Sequence, residues 1–418
     1  MIGRLTIGTA DAAAWLDSLR ARREAAFEAA RDAAAAVATE VRANGDEGVA
    51  AIVARFDGAT VPSPELVVTP RRQSIDAELS EAADLAIERI RRYHAAQLGA
   101  VPDGDGETFE RIRPLRRVAV YVPGGRAVYL STLIMGVVPA RLAGVPEIIV
   151  LTTPAAAATA EMQEIAARLG VSAIYQGGGA GIAAAAYGTA SLARVDKVVG
   201  PGSQFVTALK QLLYGRVGID MTAGPSEIAV IADETADAGL VAADLLAQSE
   251  HGPDSTAIAV TTERAAASVC AAIEARLAAL PPEATARRSL ANNGAVIIAR
   301  RSEDAIAFVN ALAPEHVSIQ ARDGEAIAQK IENSGAIFVG RWSPVALGDY
   351  TAGPNHVLPT AGGGRFFSPL GVHDFVKRSH VVSLSRETFT AIRSAAELLA
   401  VREGFPLHAA SIAAREAS

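Results

Sequence analysis

Seven histidines are few enough to weigh one by one, and four stand in company that can do chemistry. Glu315 and His316 are adjacent in APEHVSIQ, between a helical stretch and an apolar strand. A carboxylate and an imidazole at one turn can supply two acid–base groups to one site, or can simply be a capping or salt-bridged pair. Gln248 and His251 close the run DLLAQSEHGPDS. Three residues apart at a helix end they share a face, and Gly252-Pro253 stops the helix there. The pair suits a divalent metal, since neutral imidazole is the commonest ligand; glutamine is an uncommon one, and a histidine at a helix C-terminus also meets the helix dipole. His356 lies in GDYTAGPNHVLPT with Asp349, the best nearby carboxylate ligand, and with Tyr350 and Asn355. The glycines and prolines around them describe a rigid loop rather than a linker. His408 follows Glu403 in REGFPLHAAS near the end of the chain, where a terminal helix carrying both could cover a site elsewhere, including one on a partner subunit. His94, in an Arg-rich helix, reads as a surface residue, and His373 and His380 as surface or partly buried ones. Cys270, the single cysteine, lies among small apolar residues of a regular helix and reads as packing rather than as a nucleophile.

The elements that must hold these residues follow from periodicity. The first hundred residues read mainly as helix, over 10–44 and 74–96, with Asn44-Gly45 as punctuation and at most a short strand in PSPELVVTPRR. From residue 118 the pattern alternates. VAVYV, EIIVLTTP, SAIYQ and DKVVG are strand signals separated by helical runs. A second series runs through EIAVIAD, TAIAVTT, AVIIA, HVSIQ and AIFVG. Strands alternating with helices mean parallel sheets covered by helices. The expected class is therefore α/β: two doubly wound Rossmann-like units with parallel sheets, plus small N-terminal and C-terminal helical segments. The expected division is 1–17 as an N-terminal segment, 18–119 with 227–369 as a discontinuous first α/β domain, 120–226 as the second, and 370–418 as a C-terminal helical segment. Ligands in such sheets are expected beyond the carboxyl ends of the strands. The turns YVPGGR, YQGGGAG and VVGPGS each lie between a strand and a helix, where a helix N-terminus can take a phosphate. None matches G-x-G-x-x-G, since the sixth position after Gly177 and Gly179 is Ile182. Residues 341–372 lose periodicity but keep Trp342, Tyr350, Phe366 and Phe367 as anchors, so an ordered functional loop is expected.

Composition narrows the class. The net charge of -7 argues against a nucleic-acid partner. The short basic stretches, Arg20, Arg22, Arg23 and Arg89, Arg91, Arg92, have acidic neighbours and read as solvated helix faces. A single cysteine permits no intramolecular disulfide and fits a reducing compartment. No signal peptide or membrane span is expected from the charge distribution, which makes the cytoplasm the expected location.

Taken in order, YVPGG, GIDM-x-AGPSE, DLL-x-Q-x-EHGPDS, PEH, GDY-x-x-G-x-NHVLPT, SPLG-x-x-DF-x-KR and the terminal E-G-x-x-x-H make the chain resemble histidinol dehydrogenase, from about residue 20 to about residue 412. The resemblance implies oxidation of L-histidinol to L-histidine through histidinal with two NAD, the last step of histidine biosynthesis. It implies one zinc ion on Gln248, His251, Asp349 and His408, and Glu315 and His316 as the catalytic pair. Ser226, Glu403, His316 and the zinc ligands fall on substrate-contacting positions. Tyr121, Ala180 and Ser203 fall on NAD-contacting ones. It also implies an intertwined homodimer whose C-terminal segment completes the neighbour's site. Two positions depart from the family's pattern: Gly178-Gly179-Ala180-Gly181 stands where the family generally has GGAQA, so a Gln is replaced near Ala180, and Ser203 stands where it has Asn. Both remove side-chain amides, which bears on how NAD is held but not on the zinc and substrate positions. The runner-up is a related zinc- and NAD-dependent dehydrogenase of another small polar alcohol. A non-catalytic ligand-binding protein is opposed by the Glu315–His316 pair and the metal set.

Overall fold

Runs of β-branched and small apolar residues form two parallel sheets. In the computed structural model, which describes residues 2–99, 106–124 and 128–416, one six-stranded sheet has the order Gly3–Thr6, Gly294–Ile298, Thr256–Thr261, Glu227–Ala232, His316–Gln320, Ala336–Val339. Every pairing in it is parallel. Its four central strands are buried along their whole length, which is why they read as continuous apolar runs rather than as alternation. The other six-stranded sheet has the order Val67–Val68, Ala173–Tyr175, Glu147–Leu151, Arg117–Tyr121, Lys197–Val199, Gly218–Ile219. It is parallel except for the antiparallel edge pair of Val67–Val68 with Ala173–Tyr175. Each sheet reverses its strand order once, beside Glu227–Ala232 in the first and Arg117–Tyr121 in the second.

The helix Ala10–Phe56 starts on Thr9, whose side chain accepts the Ala12 N–H, and bends at Gly45, the residue that punctuates the sequence (φ 57°, ψ -132°). Trp15 and Leu16 pack on the core of the 227–339 sheet. Phe27 and Ala30 through Val53 pack with the core of the 117–219 sheet. Residues 30–53 thus lie with the 117–219 sheet, whereas the sequence division grouped 18–119 with 227–369. The strand Gly3–Thr6 in the N-terminal segment was not expected. The sequence also read His94 and Arg23 as surface residues, and both expectations fail. His94 is fully buried, donating from Nδ1 to Gln97 Oε1 at 3.0 Å, and burial pushes its imidazole below the usual range. Arg23 is half of a buried ion pair described below. His373 and His380 are exposed, and Cys270 packs partly buried against the core of the first sheet.

These elements, Met1–Leu98 with Leu115–Phe375, form one compact unit; Gly99–Pro114 with Val376–Ser418 form a second. In the second, Val376–Val382 pairs antiparallel with Thr108–Pro114, and the helices Arg386–Arg402 and Pro406–Ala413 follow. Among the described residues no helix is long and apolar enough to cross a membrane.

One buried charge pair fixes the turn at the carboxyl end of Lys197–Val199. Lys210 (2% exposed) pairs with the buried Asp220 carboxylate, and its Nζ donates to the Gly200 carbonyl at 3.0 Å. Asp220 in turn accepts the N–H groups of Gly200 at 2.8 Å and Met221 at 2.7 Å. Gly200 has φ 120°, and a Cβ there would overlap the Tyr121 carbonyl, so only glycine serves. Lys210→Met leaves the Asp220 charge buried without a cation. It should cost about 3–5 kcal/mol, read as a lower denaturation midpoint, and Lys210→Met with Asp220→Asn should recover part of that loss.

Candidate active site

The turn that delivers Glu315 and His316 is tight. The helix Ser302–Leu312 ends on Ala313 in the left-handed region (φ 49°), Pro314 follows, and the strand begins at His316. A non-glycine residue in that conformation is strained. Among the described residues Ala361 (φ 53°) is the only other non-glycine with positive φ, and it belongs to the same site. Gly335 passes so close that a Cβ would sit 2.6 Å from the Glu315 carbonyl oxygen, which accounts for the glycine in the Ser334-Gly335 motif.

Both side chains are held by the main chain of Glu227, the first residue of the adjacent strand. Its N–H donates to Glu315 Oε2 at 2.9 Å. Its carbonyl lies 3.0 Å from His316 Nδ1. A carbonyl only accepts, so Nδ1 carries the proton and Nε2 keeps its lone pair. Glu315 Oε2 stands 3.4 Å from the same Nδ1. Burial pushes the Glu315 carboxyl well above its usual range, with the Glu227 and Asp349 charges adding to it against the Glu227 N–H and the Ser226 hydroxyl. Burial also pushes His316 below the usual histidine range, against the pull of Asp349. The Glu227 side chain is itself buried, with Arg23 as its ion-pair partner and the Ala361 N–H on Oε2 at 3.1 Å.

Glu315 and His316 border a cavity of about 380 Å³ whose walls also include Ser226, His251, Asp349, His356 and Ser203. Its placement corrects one expectation. The cavity lies beyond the carboxyl ends of the 117–219 sheet, where Pro123 follows Tyr121 and Pro201–Ser203 follow Val199, but at the amino ends of the 227–339 sheet, where Ser226, Ser255 and Glu315 precede their strands. At an amino end the first N–H and C=O of a strand are available to side chains, and Glu227 uses both on the catalytic-type pair.

The helix Ala238–Ser249, capped by Asp237, carries Gln248 in its last turn, and His251 follows just beyond. Gln248 is buried, does not line the cavity, and has an amide nitrogen without a hydrogen-bond partner. Burial lowers the His251 pKa while the Asp349 charge opposes it. Asp349 sits on the short helix Val345–Tyr350, and its carbonyl accepts from His356 Nδ1 at 2.9 Å. His356 Nε2 then accepts from the Thr132 hydroxyl at 3.1 Å. Among the described residues no group of three or more His, Cys, Asp or Glu side chains stands ready to hold a metal. Glu403 and His408 belong to the smaller unit and are exposed there.

Of the positions expected at the dinucleotide, Ser203 lines the cavity as the residue before the helix Gln204–Leu213. Tyr121 is nearly buried, its phenol pushed up to about 12 by burial and the Asp57 charge. Ala180 is buried in the core, so its methyl group faces protein. Gly125 and Arg126 of the turn YVPGGR lie outside the described residues. Sequence reasoning passed over Thr132, Gln204 and Asp254, which also line the cavity, and Glu227 and Arg23 behind it. Only Glu227 left a signal, as a charged residue opening an otherwise apolar strand.

Comparison with known proteins shows the family. Residues 20–416 match the family described as histidinol dehydrogenase. The chain is 44% identical over 388 residues to the histidinol dehydrogenase of Acinetobacter baylyi, covering 90% of each chain. It is 42% identical over 410 residues to that of Bacillus subtilis, covering 96% of each. The crystal structure of histidinol dehydrogenase from Elizabethkingia anophelis superposes with a TM-score of 0.84 at 32% identity, over 92% of this chain and 91% of that one.

Proposed function

The chain belongs to the histidinol dehydrogenase family, and we propose that its pocket carries L-histidinol through histidinal to L-histidine with one zinc ion and two NAD. Histidinol oxidation in histidine biosynthesis by an NAD-dependent dehydrogenase is what the family does. The observation that carries the finer reading is the tautomer of His316, whose Nδ1–H is committed to the Glu227 carbonyl.

The donor set fits zinc: an imidazole on His251, a carboxylate on Asp349, and an amide on Gln248 whose nitrogen satisfies nothing in its buried site. Amide oxygen and nitrogen exchange by a half-turn of the side chain, so the oxygen can face a metal. We assign His408 as the fourth ligand. When bound, zinc would grip the substrate's imidazole and amino nitrogens as a Lewis acid without redox chemistry, and NAD would accept hydride. The protein does the proton work. His316 Nε2 takes the hydroxyl proton as the alcohol carbon is oxidised. Glu315, as carboxylate, draws a proton from water adding to the aldehyde, and His316 takes the hydrate's proton in the second oxidation. Ser226 and Glu403 are assigned to substrate. Tyr121, Ser203 and the backbone at Ala180 are assigned to the dinucleotide, beside the switch point of the 117–219 sheet.

A homodimer is part of the proposal, with the C-terminal segment of one copy completing the site of the other. In the smaller unit the helices Arg386–Arg402 and Pro406–Ala413 bury no residue, and Leu398, Leu399, Val401, Phe405 and Leu407 are exposed. An apolar surface of that extent marks an interface. The single, unpaired cysteine supports a cytoplasmic location.

NADH should form when the protein meets L-histidinol and NAD, should cease after chelator treatment and return with zinc; no turnover with histidinol beside activity on another alcohol would sink the reading. Glu315→Gln should slow oxidation of supplied histidinal more than the first step. Because the Glu315 carboxylate is the working form and its pKa is raised, the wild-type aldehyde step should lose rate on acidification at a pH above the ordinary glutamate range, and the variant should lack that limb. His408→Asn should leave less zinc on the protein after dialysis, measured by metal analysis; an unchanged content removes His408 from the ligand set.

A further inference from the structure

The main chain of Glu227 holds the side chains of both Glu315 and His316, so whatever fixes Glu227 fixes their geometry. Its carboxylate is buried. The cation beside it is Arg23, from the first third of the helix Ala10–Phe56, with a side chain 16% exposed. Arg23 does not border the cavity that holds the catalytic pair; it borders an adjoining one of about 250 Å³. Its Nη2 also donates to Thr256 Oγ1 at 2.9 Å, and the Thr256 N–H donates to the Ser226 carbonyl at 2.9 Å. One guanidinium nitrogen therefore reaches the two neighbouring strands at their amino ends, on either side of Ser226 and Glu227.

We propose that Arg23 is a positioning residue for the Glu315–His316 pair, acting through Glu227 from a helix outside the pocket. The inference rests on reading Glu315 and His316 as the catalytic pair. A carboxylate as deeply buried as that of Glu227 does not stay in place without its cation. Losing Arg23 turns the Glu227 side chain towards other donors or solvent, and the strand start moves with it. The N–H that holds Glu315 and the carbonyl that sets the His316 tautomer then shift relative to the substrate. Of the groups assigned to the substrate, Gln248, His251 and Asp349 stand on other elements and only Ser226 and His316 lie beside the strand start that moves, so binding changes less than the chemical step. Only Nη2 is engaged, and Nε is buried without a partner, so a lysine ammonium can replace the contact as a point charge.

The test is steady-state kinetics of the zinc-loaded enzyme with L-histidinol and NAD. Arg23→Met should lower kcat about tenfold to a hundredfold, the scale of a misplacement near 1 Å, with KM for histidinol within about threefold of wild type. Arg23→Lys should recover most of kcat. Should Arg23→Met fail to fold, Glu227→Asp replaces it: the shortened carboxylate keeps its charge but pulls the strand start, and kcat should fall with KM held. Wild-type kcat in a folded Arg23→Met protein, whatever its melting temperature, overturns the inference, as does a loss that appears in KM alone or that Arg23→Lys does not restore. Glu315→Gln and His316→Asn run beside them; full activity in those two would remove the catalytic pair itself, a different failure from that of Arg23.

Discussion

A carboxylate buried in a protein interior has to be surrounded by a cation and by donors, because its desolvation costs several kcal/mol. Glu227 is that carboxylate here. Arg23 supplies the charge and Ala361 an N–H, while the main chain of the same residue holds Glu315 on one side and His316 on the other. The electrostatic need of one side chain thereby brings together the long N-terminal helix, the start of a central strand, the turn at Pro314 and the loop at Ala361. The two non-glycine residues of positive φ among the described residues, Ala313 and Ala361, lie along this circuit. Strain gathers where several elements are forced to meet.

The second organising fact is that the two sheets present opposite ends to the cavity. The 117–219 sheet contributes the ends at which helices begin, with Ser203 and Pro201, suited to the phosphates of a dinucleotide. The 227–339 sheet contributes the starts of its strands, where backbone groups orient acid–base side chains. The donors proposed for a metal come from a third source, a helix end at Gln248 and His251 and the helical turn at Asp349. Dividing the tasks in this way keeps the pair proposed to move protons and the donors proposed for a metal on separate supports.

Much of this was legible in the sequence. Apolar runs alternating with helical ones placed nearly every strand of both sheets, because strands buried on both faces are dominated by apolar residues. The Glu315–His316 pair, Ser226, His251 and Asp349 were singled out, and the fold brings all of them to one cavity. What escaped has a common cause. Arg23 looks like any solvated arginine, since its partner is over two hundred positions away and helical periodicity reports only a face. His94 lies among arginines yet is buried, and its partner Gln97 is tied in turn to the Val372 N–H far along the chain, packing that the helical pattern does not show. The strand Gly3–Thr6 has few apolar residues because it is an edge strand with a half-exposed face. The orientation of each sheet towards the cavity depends on how the chain crosses between them, which composition does not record.

The stretch of the helix Ala10–Phe56 that precedes the break at Gly45 is about 50 Å long. Its early turns rest on one sheet and its later turns on the other. The helix thus acts as a splint. Swinging the sheets apart like jaws would have to break consecutive backbone hydrogen bonds around Arg23, where the helix passes from one core to the other; its bend at Gly45 lies well inside the second core and offers no hinge at the crossing. Substrate entry and product exit then fall to the loops at the rim of the cavity, and turnover need not wait for large rigid-body opening.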